Sequence, residues 1–351
     1  MGIKNLMPLL NKKAPQAIYS RQYKDLQSQT VAIDATMAMY QFLISTISLN
    51  KKRQIKILED SEGNRTGHLI GILHRTNKIL SHGIKPVWIF DGPSPLEKKE
   101  LIDHRQSRVE CAQQRLEQAQ EDKDVELEKK MSERVVRINK THRKDAKLML
   151  KYMGIPAFES PSEAEAQCCE LVKAGVARGV VSEDLDCLAF GAKSLIRGMK
   201  SSKNFTEIML EDILSSLNLS MSQFIDVCIL LGCDYLPKPQ NIGPVTAFSF
   251  IQKYENIESI VNDLENINKK RKRKIVITDA NDTEQDCIKK IEHVRGLFTH
   301  PNVARAADVD TKFHSPQPEK LLDFLVTQKQ FKAKNVMTAV KKMEKSLSKY
   351  F

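Results

Sequence analysis

The chain has 351 residues, 41% hydrophobic and 28% charged, enough to bury a substantial core as one large domain or two smaller ones. Its formal charge of +11 suits a polyanionic partner. Seven cysteines, at 111, 168, 169, 187, 228, 233 and 287, form no CxxC pair, which argues against a zinc site or a disulfide framework and for a reducing compartment.

The opening MGIKNLMPLLNKK has too short an apolar run for a signal peptide, and no run is long enough to span a membrane. Leu6 stands where a myristoylation signal needs Ser or Thr, so Gly2 is expected to carry a free amine. Residues 1–97 read as short helices alternating with apolar, β-rich runs, punctuated by Gly63, Gly67 and Gly92-Pro93. Two of these runs end in aspartate, VAID at Asp34 and PVWIFD at Asp91. Residues 98–151 then contain no Gly or Pro and only sparse apolar positions (Val109, Leu116, Val125, Val135, Ile138). A solvent-spanning helical hairpin fits that stretch better than a core helix.

From Gly154 to Gly191 the α/β pattern returns. Pro161 and Ser162 open a helix carrying Glu163 and Glu165, and ARGVVSEDLDCLAF supplies a strand, an acidic turn with Asp184 and Asp186, and another apolar run. Residues 222–254 read as helix, loop and helix around LPKPQNIGP, with Asp234 in LGCD. A polar stretch at 262–286 holds the run Lys269 to Lys274, read as a solvated loop. The last helix, 333–347, places Val336, Val340, Met343 and Leu347 on one face. The expected divisions are 1–97 and 152–260 for the α/β body, 98–151 for the helical insertion, 261–335 for a wrap with the basic loop, and 336–351 for the terminal helix and tail.

Open α/β sheets gather their chemistry at the carboxyl ends of the strands. If Asp34, Asp91, Glu163, Glu165, Asp184, Asp186 and Asp234 meet there, the cluster repels itself and its pKa values rise unless divalent metal, Mg²⁺ or Mn²⁺, neutralises it. An extended D-x-D at 184–186 would point both side chains the same way. Each group also has a structural alternative: Asp34 and Asp91 as turn or cap residues, and Ser162-x-x-Glu165 as a capping box.

MGI, VAIDATMAMYQFL, KPVWIFDG, GIPAFESPSEAEAQC, VVSEDLDCLAFG and FIDVCILLGCDY, in that order, closely resemble the flap endonucleases of the structure-specific 5′ nuclease superfamily. The resemblance implies a central, mainly parallel sheet flanked by helices, with a helical arch over 98–151 and a helix-two-turn-helix at 222–254. It implies a first metal held by Asp34, Asp91, Glu163 and Glu165, and a second held by Asp184, Asp186 and Asp234. Two such ions, about 3.5–4 Å apart, activate a water and stabilise the leaving oxygen in phosphodiester hydrolysis. Lys98 and Arg105, seven residues apart and expected on one helix face, match the basic pair that meets the scissile phosphate, so the implied catalytic set is Lys98, Arg105 and Asp184.

Implied DNA contacts are Gly2, Tyr40 as a stacking aromatic, Arg75, Lys98, Arg105, Glu163, Gly232, Asp234, Gly243 and Lys329. A K⁺ ion at the loop carbonyls of 222–254 is a further expectation. The chain departs from the family pattern at Asn241 (usually Gly), at Val245 and Thr246 (usually basic) and at Ile47 (usually Arg), with Lys51, Lys52 and Arg53 as candidate compensation. Weaker, less salt-sensitive duplex binding is expected as a result. Glu344-x-x-Leu347-x-x-Tyr350-Phe351 has the spacing of a sliding-clamp peptide, with a helix end packed on the body as its alternative.

The implied activity is 5′-flap endonuclease with 5′-3′ exonuclease, by a monomer, in Okazaki fragment maturation and long-patch base-excision repair. The expected location is the nucleus, with the run at 269–274 as import signal. Rival readings are a 5′ exonuclease or Holliday-junction resolvase of the same superfamily, and a clamp partner that has lost catalysis, whose signature would be a missing carboxylate.

Overall fold

Apolar runs bounded by turn residues become the strands, as a sheet buried on both faces requires. The chain is seen in a computed structural model that describes residues 2–50, 54–199, 204–279 and 281–350. Lys51, Lys52, Arg53 and Phe351 lie outside the described residues. Among the described residues are nine strands: β1 (Ile18–Gln22), β2 (Thr30–Asp34), β3 (Ser48–Leu49), β4 (Ile55–Lys56), β5 (Lys85–Phe90), β6 (Ala157–Glu159), β7 (Gly179–Val181), β8 (Ser194–Arg197) and β9 (Asn204–Met209). The chain divides into one unit of residues 1–22, 93–98 and 161–306 and a second of 23–92, 99–160 and 307–351. In each, parallel strands flanked by helices give the α/β class expected from sequence.

In the first unit the strand order is β1-β9-β8-β7, with β7 and β8 parallel and β9 antiparallel to both its neighbours. Val180, Val181, Leu195 and Ile196 are buried, so the parallel pair is covered on both faces. Glu207 of β9 is buried too, and its charge is met by Arg21 and Arg178, each at 3.1 Å, and by the Ser194 hydroxyl at 2.7 Å. The helices Met221–Leu231 and Pro244–Tyr254 form the expected helix-loop-helix. The first starts in a capping box of Ser220 and Gln223.

The second unit holds the parallel order β2-β5-β6, in a register that sets Asp34 opposite Ile89. The helices Ala35–Ser45 and Gly67–Ser81 flank it and touch closely, because a Cβ at Gly71 would lie 2.1 Å from the Phe42 ring. Helices Lys99–Glu121 and Val125–Arg134 form the charged hairpin and bury a narrow seam of Ala112, Leu116, Ala119, Met131 and Ser132. The terminal helix, Ala333–Leu347, buries Val336, Val340, Met343 and Leu347 as its periodicity predicts. It packs on Gly67–Ser81, where Asn77 donates to the Ala339 carbonyl at 2.9 Å. All seven cysteines are free, and no single described helix is long and apolar enough to cross a membrane.

Candidate metal centre

Two turns of the first unit bring carboxylates to one lysine. The helix Ala164–Lys173 takes Glu163 as its cap residue, while the Ser162 hydroxyl donates to the Pro93 carbonyl at 3.3 Å. The capping box of Ser162 and Glu165 is therefore not made, and Glu165 points elsewhere. After β7 the chain does not stay extended. The Asp184 amide donates to the Ser182 hydroxyl at 3.1 Å, the Asp186 amide donates to Asp184 Oδ1 at 3.1 Å, and Asp186 opens a short helix. A tight side-chain-bonded turn replaces the expected extended D-x-D, because aspartate and serine acceptors compete with the strand ladder.

The carboxylates meet all the same. Oxygens of Glu165, Asp184 and Asp186 lie within 4.8 Å of one another. Lys98 pairs with Glu163 and sits 3.5 Å from Glu165 and 3.6 Å from Asp234. Burial, then the Asp184 charge, pushes the Glu165 and Asp186 carboxyls well above their ordinary range, and burial raises Asp184 too. Burial also works against the charge on Lys98, but Glu165, Glu163 and Asp234 outweigh it and hold the ammonium protonated.

Lys98 is shared by Glu163, Glu165 and Asp234, and the crowding of Glu165 with Asp184 and Asp186 sets like charges against one another. Asp186 Oδ2 is buried without a hydrogen-bond partner. An all-oxygen donor set with an orphaned buried carboxylate oxygen fits a hard divalent cation.

The start of the chain packs directly against this cluster. The Ile3 amide donates to Asp186 Oδ1 at 2.7 Å, and the Lys4 amide donates to the Gly232 carbonyl at 3.2 Å. Gly2 adopts φ +79, and a Cβ there would fall 1.8 Å from Asp184 Oδ1 and 2.5 Å from Asp186 Oδ1. Tyr235 is not among the residues that sequence reasoning selects, yet its hydroxyl donates to Glu163 Oε2 and its ring lies 4.9 Å from the Lys98 ammonium. That ring stands edge-on to Phe298, with centroids 5.2 Å apart. Its one sequence signal is its place beside Asp234; Ile3 acts through a backbone amide, which leaves no side-chain signature.

Of the other described site candidates, all but Gly232 and Gly243 lie in the second unit. Asp34 caps the helix Ala35–Ser45, its Oδ1 accepting from the Met37 amide at 2.9 Å, so its cap alternative is realised. Asp91 follows β5, at the same end of the β2/β5 pair as Asp34, and its carbonyl accepts from Arg143 at 3.4 Å. Tyr40 packs on a cluster of Leu43, Ile47 and Val136, which explains why residue 47 is apolar here. The Arg75 guanidinium lies over the Phe42 ring at 4.3 Å. Lys98 ends a 3-10 turn, Leu96–Lys98, that runs directly into the helix Lys99–Glu121 carrying Arg105.

Lys329 is held by Asp60 at 3.1 Å and Asp145 at 2.6 Å, with its side chain only 11% exposed. Asn241 has φ +59, a conformation asparagine tolerates, so it can stand where glycine is usual. Gly232 ends the helix Met221–Leu231, and Gly243 caps Pro244–Tyr254. At the terminus Glu344 is exposed, Leu347 is buried, and the Tyr350 ring packs edge-on to Phe313 at 5.0 Å. The packed-end alternative describes Leu347 and Tyr350.

Comparison with known proteins bears on this geometry. Residues 1–112 match the XPG N-terminal domain and residues 154–234 the XPG I-region. The chain is 37% identical over 353 residues to Flap endonuclease 1 of Leishmania braziliensis, covering 99% of this chain and 86% of that one. It is also 37% identical to Flap endonuclease 1 of Tetrahymena thermophila, covering 98% and 88%. Among solved structures, flap endonuclease-1 from Methanococcus jannaschii superposes with a TM-score of 0.70 at 26% identity, covering 95% of this chain and 97% of that one. The catalytic core of Rad2 in complex with DNA substrate gives 0.70 at 23% identity, covering 97% and 100%, a likeness of fold. Identity of this level across nearly the whole length shows that the chain belongs to the flap endonuclease family.

Proposed function

We propose that Glu163, Glu165, Asp184, Asp186 and Asp234, with Asp34 and Asp91, hold two Mg²⁺ ions, or Mn²⁺ in their place, at the centre of a structure-specific 5′-flap endonuclease. The observation that carries this reading is the convergence of Glu165, Asp184 and Asp186 oxygens within 4.8 Å in a chain of that family. As a member of the family, the protein is a phosphodiester-hydrolysing nuclease that cleaves DNA where a 5′ single strand leaves the duplex, a step of replication and repair. Bound divalent metal would activate a water and neutralise phosphate charge.

The chain's own groups support the rest. Lys98, held protonated by its carboxylates, has a charge to offer a phosphate oxygen. Tyr235 fixes Glu163, the Ile3 amide fixes Asp186, and the missing side chain at Gly2 leaves the carboxylates room. Arg105, Arg75 and Tyr40 are read as DNA contacts, Gly232 and Gly243 as backbone contacts, with K⁺ at the loop after Gly232. Lagging-strand maturation, long-patch base-excision repair and a nuclear location belong to the same proposal.

The test compares cleavage of a labelled 5′-flap duplex, a nicked duplex and a four-way junction, with and without Mg²⁺. The reading requires Mg²⁺-dependent release of the flap, faster than cutting at the nick. Preference for the four-way junction would favour a resolvase. Binding without cleavage of any substrate would favour an inactive clamp partner.

A further inference from the structure

The first turn of the second helix of the helix-loop-helix, after Pro244, carries Val245, 58% exposed, and Thr246, neither able to meet a phosphate with charge. Cations reach the same loop from elsewhere in the chain. Residues Lys269 to Lys274 are exposed, and specific clasps hold the run beside the loop. The Asn241 side-chain amide donates to the Lys274 carbonyl at 2.6 Å. The Gln240 amide donates to the Val276 carbonyl at 2.8 Å in an antiparallel bridge. Asn268 closes the base of the basic turn, accepting from the Ile275 amide at 2.7 Å and donating to its carbonyl at 3.1 Å. Ile275 and Ile277, each 2% exposed, anchor the far end.

Charge balance indicates what the turn is built to meet. Lys269 pairs with Glu265 at 3.6 Å, and Lys270 acts on Asp263. Arg271, Lys272, Arg273 and Lys274 have no carboxylate partner among the described residues. Consecutive unpaired cations repel one another, and a free linker would spread to relieve this; the clasps keep them together. The helix Pro244–Tyr254 starts at Gly243 without a side-chain cap, so its open amides add positive potential next to the clasped run.

We propose that Arg271, Lys272, Arg273 and Lys274, clasped to the loop through Asn241 and Gln240, form with that loop a composite site for the phosphate backbone of duplex DNA. The run supplies the charge that Val245 and Thr246 do not. Duplex binding is then neither weak nor salt-insensitive, as the departures at 245 and 246 taken alone would suggest. The inference rests on the DNA-cleaving function above. An import receptor reading the same run as a free peptide would first have to break these clasps.

The test replaces Arg271, Lys272, Arg273 and Lys274 together by serine in the full chain and measures affinity for a labelled 5′-flap duplex across a KCl series. Kd at 0.1 M KCl should rise about tenfold or more, and the slope of log Kd against log salt should fall by about 2 to 4, at about 0.9 for each phosphate no longer neutralised. KM for cleavage should rise by a larger factor than kcat falls. Asn241→Gly, which keeps the positive φ and removes one clasp, should raise Kd by a smaller factor, about threefold. A quadruple variant with unchanged Kd and unchanged slope overturns the proposal, whether or not its nuclear accumulation is lost. Failure of the wild-type chain to bind flap DNA at all would instead defeat the underlying functional reading.

Discussion

Two lysines in this molecule, Lys98 and Lys329, are each nearly buried among carboxylates, with side chains 11% exposed. Their surroundings differ in charge balance. Lys329 faces Asp60 and Asp145; although burial works against it, the Asn64 amide and Lys329 bring the Asp60 carboxyl below its ordinary value. Lys98 faces Glu163, Glu165 and Asp234, with Asp184 and Asp186 behind them, and there Glu165 and Asp186 are pushed well up. The first cluster sets one lysine against two aspartates and works as a staple. The second crowds more carboxylates around its lysine, an oxygen donor set compatible with a divalent cation, so the surplus of carboxylates rather than burial distinguishes the two clusters.

Breaking the Lys98 cluster should cost activity and spare the fold. Asp184→Ala should lower Mg²⁺-dependent flap cleavage by about a thousandfold, or about 4 kcal/mol of transition-state stabilisation, while flap binding in an anisotropy titration persists. Wild-type-like turnover by that variant would remove the metal assignment. Breaking the Lys329 cluster should do the reverse. Lys329→Met leaves Asp60 and Asp145 without their cation and should cost about 3 kcal/mol in urea unfolding, with Mg²⁺-dependent chemistry retained in the folded fraction.

A third buried group of the second unit sharpens the contrast through pH. His68 is fully buried, packs edge-on to His142 with centroids 4.8 Å apart, and burial lowers its pKa from 6.5 to about 3. The unfolded chain therefore binds a proton below pH 6.5 that the folded chain refuses. The stability linked to this group is full above 6.5 and is lost as pH falls toward 3, by about 2 kcal/mol at pH 5. His68→Gln should flatten the difference in unfolding free energy between pH 7 and pH 5 relative to wild type, and parallel profiles for the two proteins would refute this. The smallest effect is expected where repulsion is relieved. Metal-free Asp186→Asn should unfold about 1 kcal/mol later than the wild type, and saturating Mg²⁺ should reverse that order.

Much of this is legible from residues alone because parallel, doubly covered strands leave continuous apolar runs, and VAID and PVWIF form β2 and β5 as their composition predicts. The helix at 333–347 is legible for the same kind of reason, since four apolar positions at helical spacing have one face to bury. What the sequence hides are partners chosen by the fold across long separations. Lys329 meets Asp60 from 269 residues away, and nothing local to either residue announces it. The segment from Ser182 to Asp186 reads as extended only while its short side-chain acceptors are not weighed against the strand ladder, and those acceptors win. Ile3 is invisible to any reading of side chains because only its backbone amide acts.

The Tyr235 ring gives the apolar interior a mechanical hold on the chemistry. It touches Phe298 on one side and fixes Glu163 through its hydroxyl, so packing faults travel along a rigid aromatic lever. A cavity opened at Phe298, a position bearing no charge, would loosen an acidic residue 135 positions earlier in the chain. Loss of cleavage in this enzyme can thus arise from an ordinary core substitution, with every acidic residue intact.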